Sequence, residues 1–281
     1  MSKLDVTSPP VFSSRWLGAF LGLMGWLAFS APASSAGTRF AGVPVVPGGT
    51  VRANVPLSDV EKSYVSEGGN AVPSHTVAVL GVPRGFDPSK TWPVLVVFST
   101  SDFKLQNRDD LAHLYGPTAM AEGWVVIAGD GPEPAPRLDS SGWRAGHTLA
   151  ALDALNRSFP ASKKWPLACA GYSGGAKRAG LLAPLLAVAG YHISGIFLTG
   201  INVDTITEGY RKFKPGSNYQ LTPIFLSTGV RDTVATPAQQ TEVKNSMQRA
   251  GFGNIQQKTF PYGHVVKKTH IEEALRWFRG K

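Results

Sequence analysis

Along most of this chain, short apolar runs without polar alternation take turns with longer stretches in which apolar residues recur every three or four positions. The runs at residues 76–82, 94–98, 124–128, 167–170, 195–199, 224–227 and 255–260 predict strands, because a continuous apolar run of that length suits a strand covered on both faces. Helical periodicity between them predicts helices at 108–122, 146–158, 175–189, 237–250 and 270–279. Two of these have legible starts. Thr236 before Pro237 supplies an N-cap followed by a favoured first position, and Thr269-His270-Ile271-Glu272 has the form of a capping box ahead of Leu275 and Phe278. Strand and helix in regular alternation predict an α/β fold: one domain with a mostly parallel central sheet of about eight strands and helices on both faces. Residues 37–73, rich in Gly, Pro and Val, show little periodicity and read as an N-terminal extension lying across the surface of a domain that spans 74–281.

The first 36 residues have another character. Lys3 and Arg15 precede the apolar run 16–29, which gives way to the small residues Ala31-Pro32-Ala33-Ser34-Ser35-Ala36. The run is shorter than the ~20 residues that span a bilayer, so it reads as a signal peptide cleaved near Ala33 or Ala36; an uncleaved anchor is the alternative. The expected location is periplasmic or secreted, with no stable membrane insertion once the signal is removed.

Composition sharpens this picture at three points. A hydrophobic content of 43% over 281 residues is enough for a packed core. The net charge of +9 is dispersed in short clusters such as Lys163-Lys164 and Lys267-Lys268, with no basic helix or aromatic RNA-binding signature, so no nucleic-acid partner is expected. Cys169 is the single cysteine, so no internal disulfide can form; set in the apolar segment 166–170, it reads as a buried, inert thiol. Neither CxxC nor HExxH occurs, and neither a metal nor another cofactor is expected.

The chemistry concentrates in three places. Gly171-Tyr172-Ser173-Gly174-Gly175 is a G-x-S-x-G that directly follows an apolar strand and opens a helix. Such a turn is tight enough to strain the serine, and it aims the hydroxyl away from the sheet with a helix N-terminus behind it. Further on, Asp232 lies in a loop between a strand and the capped helix at Pro237. His264 closes Phe260-Pro261-Tyr262-Gly263-His264, between the last strand and the last helix. A neutral hydroxyl is a poor nucleophile near pH 7; a histidine must take its proton, and an acid must hold that histidine's tautomer. Ser173, Asp232 and His264 fill these parts in the order Ser, acid, His, each at a strand's carboxyl end. Asp204, after the preceding strand, is the alternative acid; His270 reads as a surface or capping residue.

From about residue 74 onward the chain resembles the α/β-hydrolase superfamily, particularly its secreted esterase, dienelactone-hydrolase-like and polyester-depolymerase-like branches. The resemblance rests on 171–175, on the spacing of Gly229, Asp232 and Pro237, and on Gly263-His264. It implies hydrolysis of a small-molecule or polymeric ester through an acyl-enzyme. Peptidase or acyltransferase action on the same three residues, and a noncatalytic binding protein on this scaffold, are the other readings. Where many relatives carry His-Gly after the strand at 94–98, this chain has Ser99-Thr100-Ser101-Asp102. The oxyanion donors are then expected to be the backbone N–H of Gly174 together with that of Thr100 or Ser101. Tyr172 and Trp143 are the candidate substrate-contacting side chains; Trp143 is read either as a stacking residue on the loop 130–143 or as a packing residue. A second loop, 201–222, would form the other wall.

Overall fold

The computed structural model describes residues 37–100, 105–133 and 141–280. The expected signal segment, Ser101 and most of the loop before Trp143 lie outside them. Two short strands, β1 (Arg39–Phe40) and β2 (Val43–Pro44), form a small hairpin, followed by β3 (Thr50–Val55), α1 (Asp59–Val65), β4 (Thr76–Gly81) and β5 (Val94–Phe98). Helices α2 (Asn107–Asp110) and α3 (Gly116–Ala121) are joined by a wider π turn at Leu111–Tyr115, so the single helix expected at 108–122 exists with its middle unwound. The chain then alternates through β6 (Val125–Asp130), α4 (Ser141–Ser158), β7 (Leu167–Tyr172), α5 (Gly174–Val188), β8 (Ile193–Thr199), α6 (Thr205–Phe213), β9 (Ile224–Gly229), α7 (Pro237–Arg249), β10 (Ile255–Phe260) and α8 (Lys268–Phe278).

Eight of the strands form one sheet in the order β10-β9-β8-β7-β5-β6-β4-β3, in which β4 alone runs against the others. Strands β4, β5 and β6 are buried along their whole length, and separate apolar clusters cover the two faces. Continuous apolar runs therefore mark strands that have a core on each side.

The segment 37–73 is not a surface extension. Thr50–Val55 pairs with Gly81–Thr76 as the edge strand of the sheet, turning Val51, Ala53 and Val55 inward while Thr50, Arg52 and Asn54 stay outside. This two-residue alternation is the signature of a half-covered strand. Ser58 and Glu61 form a capping box that starts α1, which packs on α4. From Gly37 onward the described chain belongs to one compact unit.

Helix starts differ from expectation: α4 begins at Ser141 and not at 146, and one cap is not formed. Thr236 caps α7 with a capping box closed by Gln239, but α8 begins at Lys268, ahead of Thr269, so the box read at Thr269–Glu272 is not formed.

The chain lays β6 on one side of β5 and then crosses back to lay β7 on the other. Loops leaving β5 and β7 at their carboxyl ends thus diverge, and the crevice between them is where open parallel sheets bind ligands. Ser173 is the first residue after β7.

Candidate active site

Ser173 stands at φ 55°, ψ −119°, a left-handed backbone that side chains other than glycine rarely adopt. Its N–H is held by the Thr199 carbonyl at 2.9 Å. The flanking glycines are dictated by contact. A β-carbon on Gly171 would lie 2.0 Å from the Gly175 carbonyl oxygen, and one on Gly175 would lie 2.1 Å from that of Phe98. The turn is therefore wedged against both its own helix and the neighbouring strand β5, and the serine hydroxyl is left at the sheet's edge.

Two other loops converge on it. His264 Nε2 is 2.9 Å from Ser173 Oγ, and its Nδ1 is 2.8 Å from Asp232 Oδ2. An ionised carboxylate only accepts, so Nδ1 carries the ring proton of the neutral imidazole and Nε2 is free to accept from the serine hydroxyl. Asp232 Oδ1 accepts the N–H groups of Val234 and Ala235 at 2.9 and 2.8 Å, so the carboxylate is fixed by three donors. The acid is buried at 1% side-chain exposure while the histidine keeps 17%, which leaves the ring reachable from the crevice.

Close backbone approaches join these loops. At Gly229 a β-carbon would meet the carbonyl oxygens of Gly263 and Tyr262 at 2.4 and 2.5 Å, so the acid loop and the histidine loop can touch only because that residue is glycine. Gly200, at φ +60°, lies beside the imidazole: a β-carbon there would come within 2.8 Å of His264 Cε1. Tyr172 donates its hydroxyl to the His264 carbonyl at 2.5 Å and sets its ring 4.8 Å from the imidazole. Burial first, then the Asp232 charge, raises the Tyr172 hydroxyl above its ordinary value, which keeps it a donor.

The alternatives read from the sequence go elsewhere. Asp204 is the N-cap of α6, accepting from the Thr207 N–H at 3.0 Å and from the Ser246 hydroxyl at 2.7 Å. That helix occupies much of the segment read as the loop 201–222. His270 is neither a surface nor a capping residue: it is 1% exposed, 2.8 Å from Ser227 Oγ and stacked on Phe260. Burial, then Lys267, lowers its pKa to about 4. For Trp143 the packing alternative fits, though on a helix and not on a loop. It sits in the first turn of α4 at 4% exposure, edge-on to His147 at 4.5 Å, and helps line a cavity of about 240 Å³ beside Pro73 and Gly131. Cys169 is fully buried, and burial raises its thiol well above the ordinary range.

On the β5 side, Gly174 opens α5, where the first N–H groups have no partner within the helix. The Ser99 carbonyl carbon, to which the Thr100 nitrogen is bonded, would lie 2.9 Å from a β-carbon on Gly175. The peptide that joins Ser99 to Thr100 and the start of α5 thus lie close together beside Ser173. Sequence reasoning missed what lies behind them: a buried cluster of Ser99, Asn107, Asp130 and Arg144. Its members come from just past the end of β5 and from α2, β6 and α4, and form no local motif.

Among solved structures, an esterase of Pyrococcus furiosus superposes with a TM-score of 0.53 at 16% identity, over 83% of this chain and 91% of that one. A ferulic acid esterase gives 0.59 at 14% identity, over 83% and 98%, and an alpha-beta serine hydrolase homologue from Coxiella burnetii gives 0.56 at 13%, over 84% and 98%. The fold is that of the α/β-hydrolases. No family model matches the sequence, and no curated protein does. In this sheet Ser173 follows β7, Asp232 follows β9 and His264 follows β10.

Proposed function

We propose that this chain is a serine hydrolase that cleaves carboxylic esters through an acyl-enzyme on Ser173. The observation that carries the proposal is the unbroken relay of hydrogen bonds from Ser173 Oγ to His264 Nε2, and from His264 Nδ1 to Asp232 Oδ2. As Ser173 Oγ attacks the ester carbonyl, its proton passes to Nε2, and the imidazolium that forms is stabilised by the fixed Asp232 carboxylate. The negative oxygen of the tetrahedral intermediate faces the N–H groups of Gly174 and Thr100, which are the proposed oxyanion donors. His264 then protonates the leaving alcohol, and water, deprotonated by the same nitrogen, releases the acid. Tyr172 braces His264 through its carbonyl and so contributes to positioning as well as to the wall of the crevice.

Two further supports concern the substrate. The similar structures include proteins described as esterases. Val234, two residues past the acid, and Val265, next to the histidine, are exposed apolar side chains suited to an apolar acyl or alcohol group. The amino-terminal segment is the basis for proposing that the substrate, a small or polymeric ester, is met in the periplasm or outside the cell.

The test is hydrolysis of p-nitrophenyl esters by the purified protein and by Ser173→Ala. We expect turnover in the first and its loss in the second with an unchanged melting temperature, because removing one hydroxyl at the mouth of the crevice opens no core cavity. Equal activity in both would overturn the assignment.

A further inference from the structure

The guanidinium of Arg144 is completely buried, and its partners include residues just after β5 and residues at the start of α2. Nη1 donates to Ser99 Oγ at 3.0 Å and Asn107 Oδ1 at 3.1 Å, and lies 3.5 Å from Asp130 Oδ1. Nη2 donates to the carbonyls of Leu105 at 3.0 Å and Thr100 at 3.4 Å. One planar group therefore holds both ends of the connection between β5 and α2. Around it, Asn107 accepts the Ser99 N–H at 2.9 Å and donates to the Gly129 carbonyl at 2.9 Å, while Asp130 accepts the N–H groups of Asn107 and Arg108 at 2.9 and 2.8 Å.

The consequence falls on a single peptide unit. The Ser99 N–H is pinned by Asn107 and the Thr100 carbonyl by Arg144, and between them lies the peptide that carries the Thr100 N–H. Its carbonyl carbon is already pressed against Gly175. A core position filled only for packing would be served as well by an apolar side chain, because desolvating a guanidinium offsets much of what its ion pair returns. Arginine differs in presenting several donors in one rigid plane, which matches oxygens spread over Ser99, Thr100, Leu105 and Asn107.

We infer that Arg144 is a positioning residue for the oxyanion: from the buried side it fixes the Thr100 amide at the height of the ester carbonyl. The inference rests on the ester-hydrolase reading and deepens it. Arg144 touches no reacting atom, so its effect is expected in transition-state binding and not in substrate affinity.

The experiment compares the wild type with Arg144→Lys and with the double variant Arg144→Met, Asp130→Asn, which avoids leaving a lone buried carboxylate. Active sites are counted with a fluorophosphonate, and kcat per counted site, KM and inhibition by phenylboronic acid are measured. Boronate forms a tetrahedral adduct on serine with an anionic oxygen, so it reports on the same donors. Both variants should lose kcat per site by about 10- to 100-fold, the scale of a 1 Å misplacement, with KM nearly unchanged and boronate affinity reduced in parallel. Arg144→Lys should lose less than the double variant, and it decides the matter if the double variant does not fold. Unchanged kcat per site with fewer active molecules or a lower melting temperature would make Arg144 merely structural, and an effect on KM alone would also overturn the inference. A wild type that neither turns over ester nor labels at Ser173 would overturn the hydrolase reading and this one with it, whereas a competent wild type with unaffected variants would overturn this one alone.

Discussion

Toward β9 and β10, Ser173 Oγ meets a side chain, His264, with Asp232 behind it; toward β5 and β6, the chain beside Ser173 is backbone held from behind by buried side chains. His264 contacts Ser173 directly and Asp232 contacts His264, and the imidazole keeps enough exposure to be reached from the crevice. Arg144 and Asp130 have no exposure at all and touch the crevice only through the chain they hold. On the proposed reaction, the difference follows from what each side would have to do. Proton transfer needs a titratable ring that can be reached, whereas an oxyanion needs donors that do not move, and a dry polar cluster suits the latter because its members have no water to exchange for.

If the first side works through the tautomer that Asp232 imposes, Asp232→Asn should give the largest effect, on the order of a 10⁴-fold loss in kcat. The variant's amide oxygen can keep the Val234 and Ala235 N–H groups, and its NH₂ then faces Nδ1 and forces the ring proton onto Nε2. Asp204→Asn should stay near wild type in steady-state kinetics, with a stability cost under about 1 kcal/mol, because asparagine caps a helix as well as aspartate does. The reverse ranking would move the acid to the loop after β8.

Gly200→Ala probes how tightly the histidine is seated. Its β-carbon would enter the imidazole's space, so kcat should fall by about 10- to 100-fold. Gly190, at φ +91° with open space around it, is the control: Gly190→Ala carries the backbone strain alone and should lower the melting temperature without lowering kcat. Equal kinetic losses would mean that strain, and not the ring, is responsible.

These sites differ in how far the sequence disclosed them. Ser173, Asp232 and His264 were legible because each sits in a short motif whose glycines are forced by local contacts, at Gly171, Gly175 and Gly229. The parallel strands were legible because a core on both faces leaves unbroken apolar runs. Arg144, Asn107 and Asp130 were not, since only the crossing of the chain from β6 back to β7 brings α4 next to Ser99 and Thr100. Strand β3 and helix α1 were missed although Val51, Ala53 and Val55 alternate and Ser58 and Glu61 form a cap; the surrounding glycines and prolines masked two short signals. Trp143 was misplaced because nothing local shows that α4 begins at Ser141.

The smallest predicted effect separates the two histidines of the last segment. Buried His270 has a folded pKa of about 4, below the ordinary value near 6.5. The folded state therefore binds fewer protons than the unfolded one, and the stability it contributes is fully present above pH ~6.5 and is lost as pH falls toward about 4. The melting-temperature advantage of the wild type over His270→Gln should shrink over that window, with kcat per site alike at pH 7. A constant difference across the window would show that His270 does not titrate between the two states.

The account turns on Ser173 being activated by its neighbours. A fluorophosphonate probe on the purified protein, with the adduct located by peptide mass spectrometry, tests this most directly. We predict one adduct, on Ser173, formed rapidly in the wild type and slowed by orders of magnitude in His264→Ala. No labelling of the folded wild type, or equal labelling in His264→Ala, would contradict it.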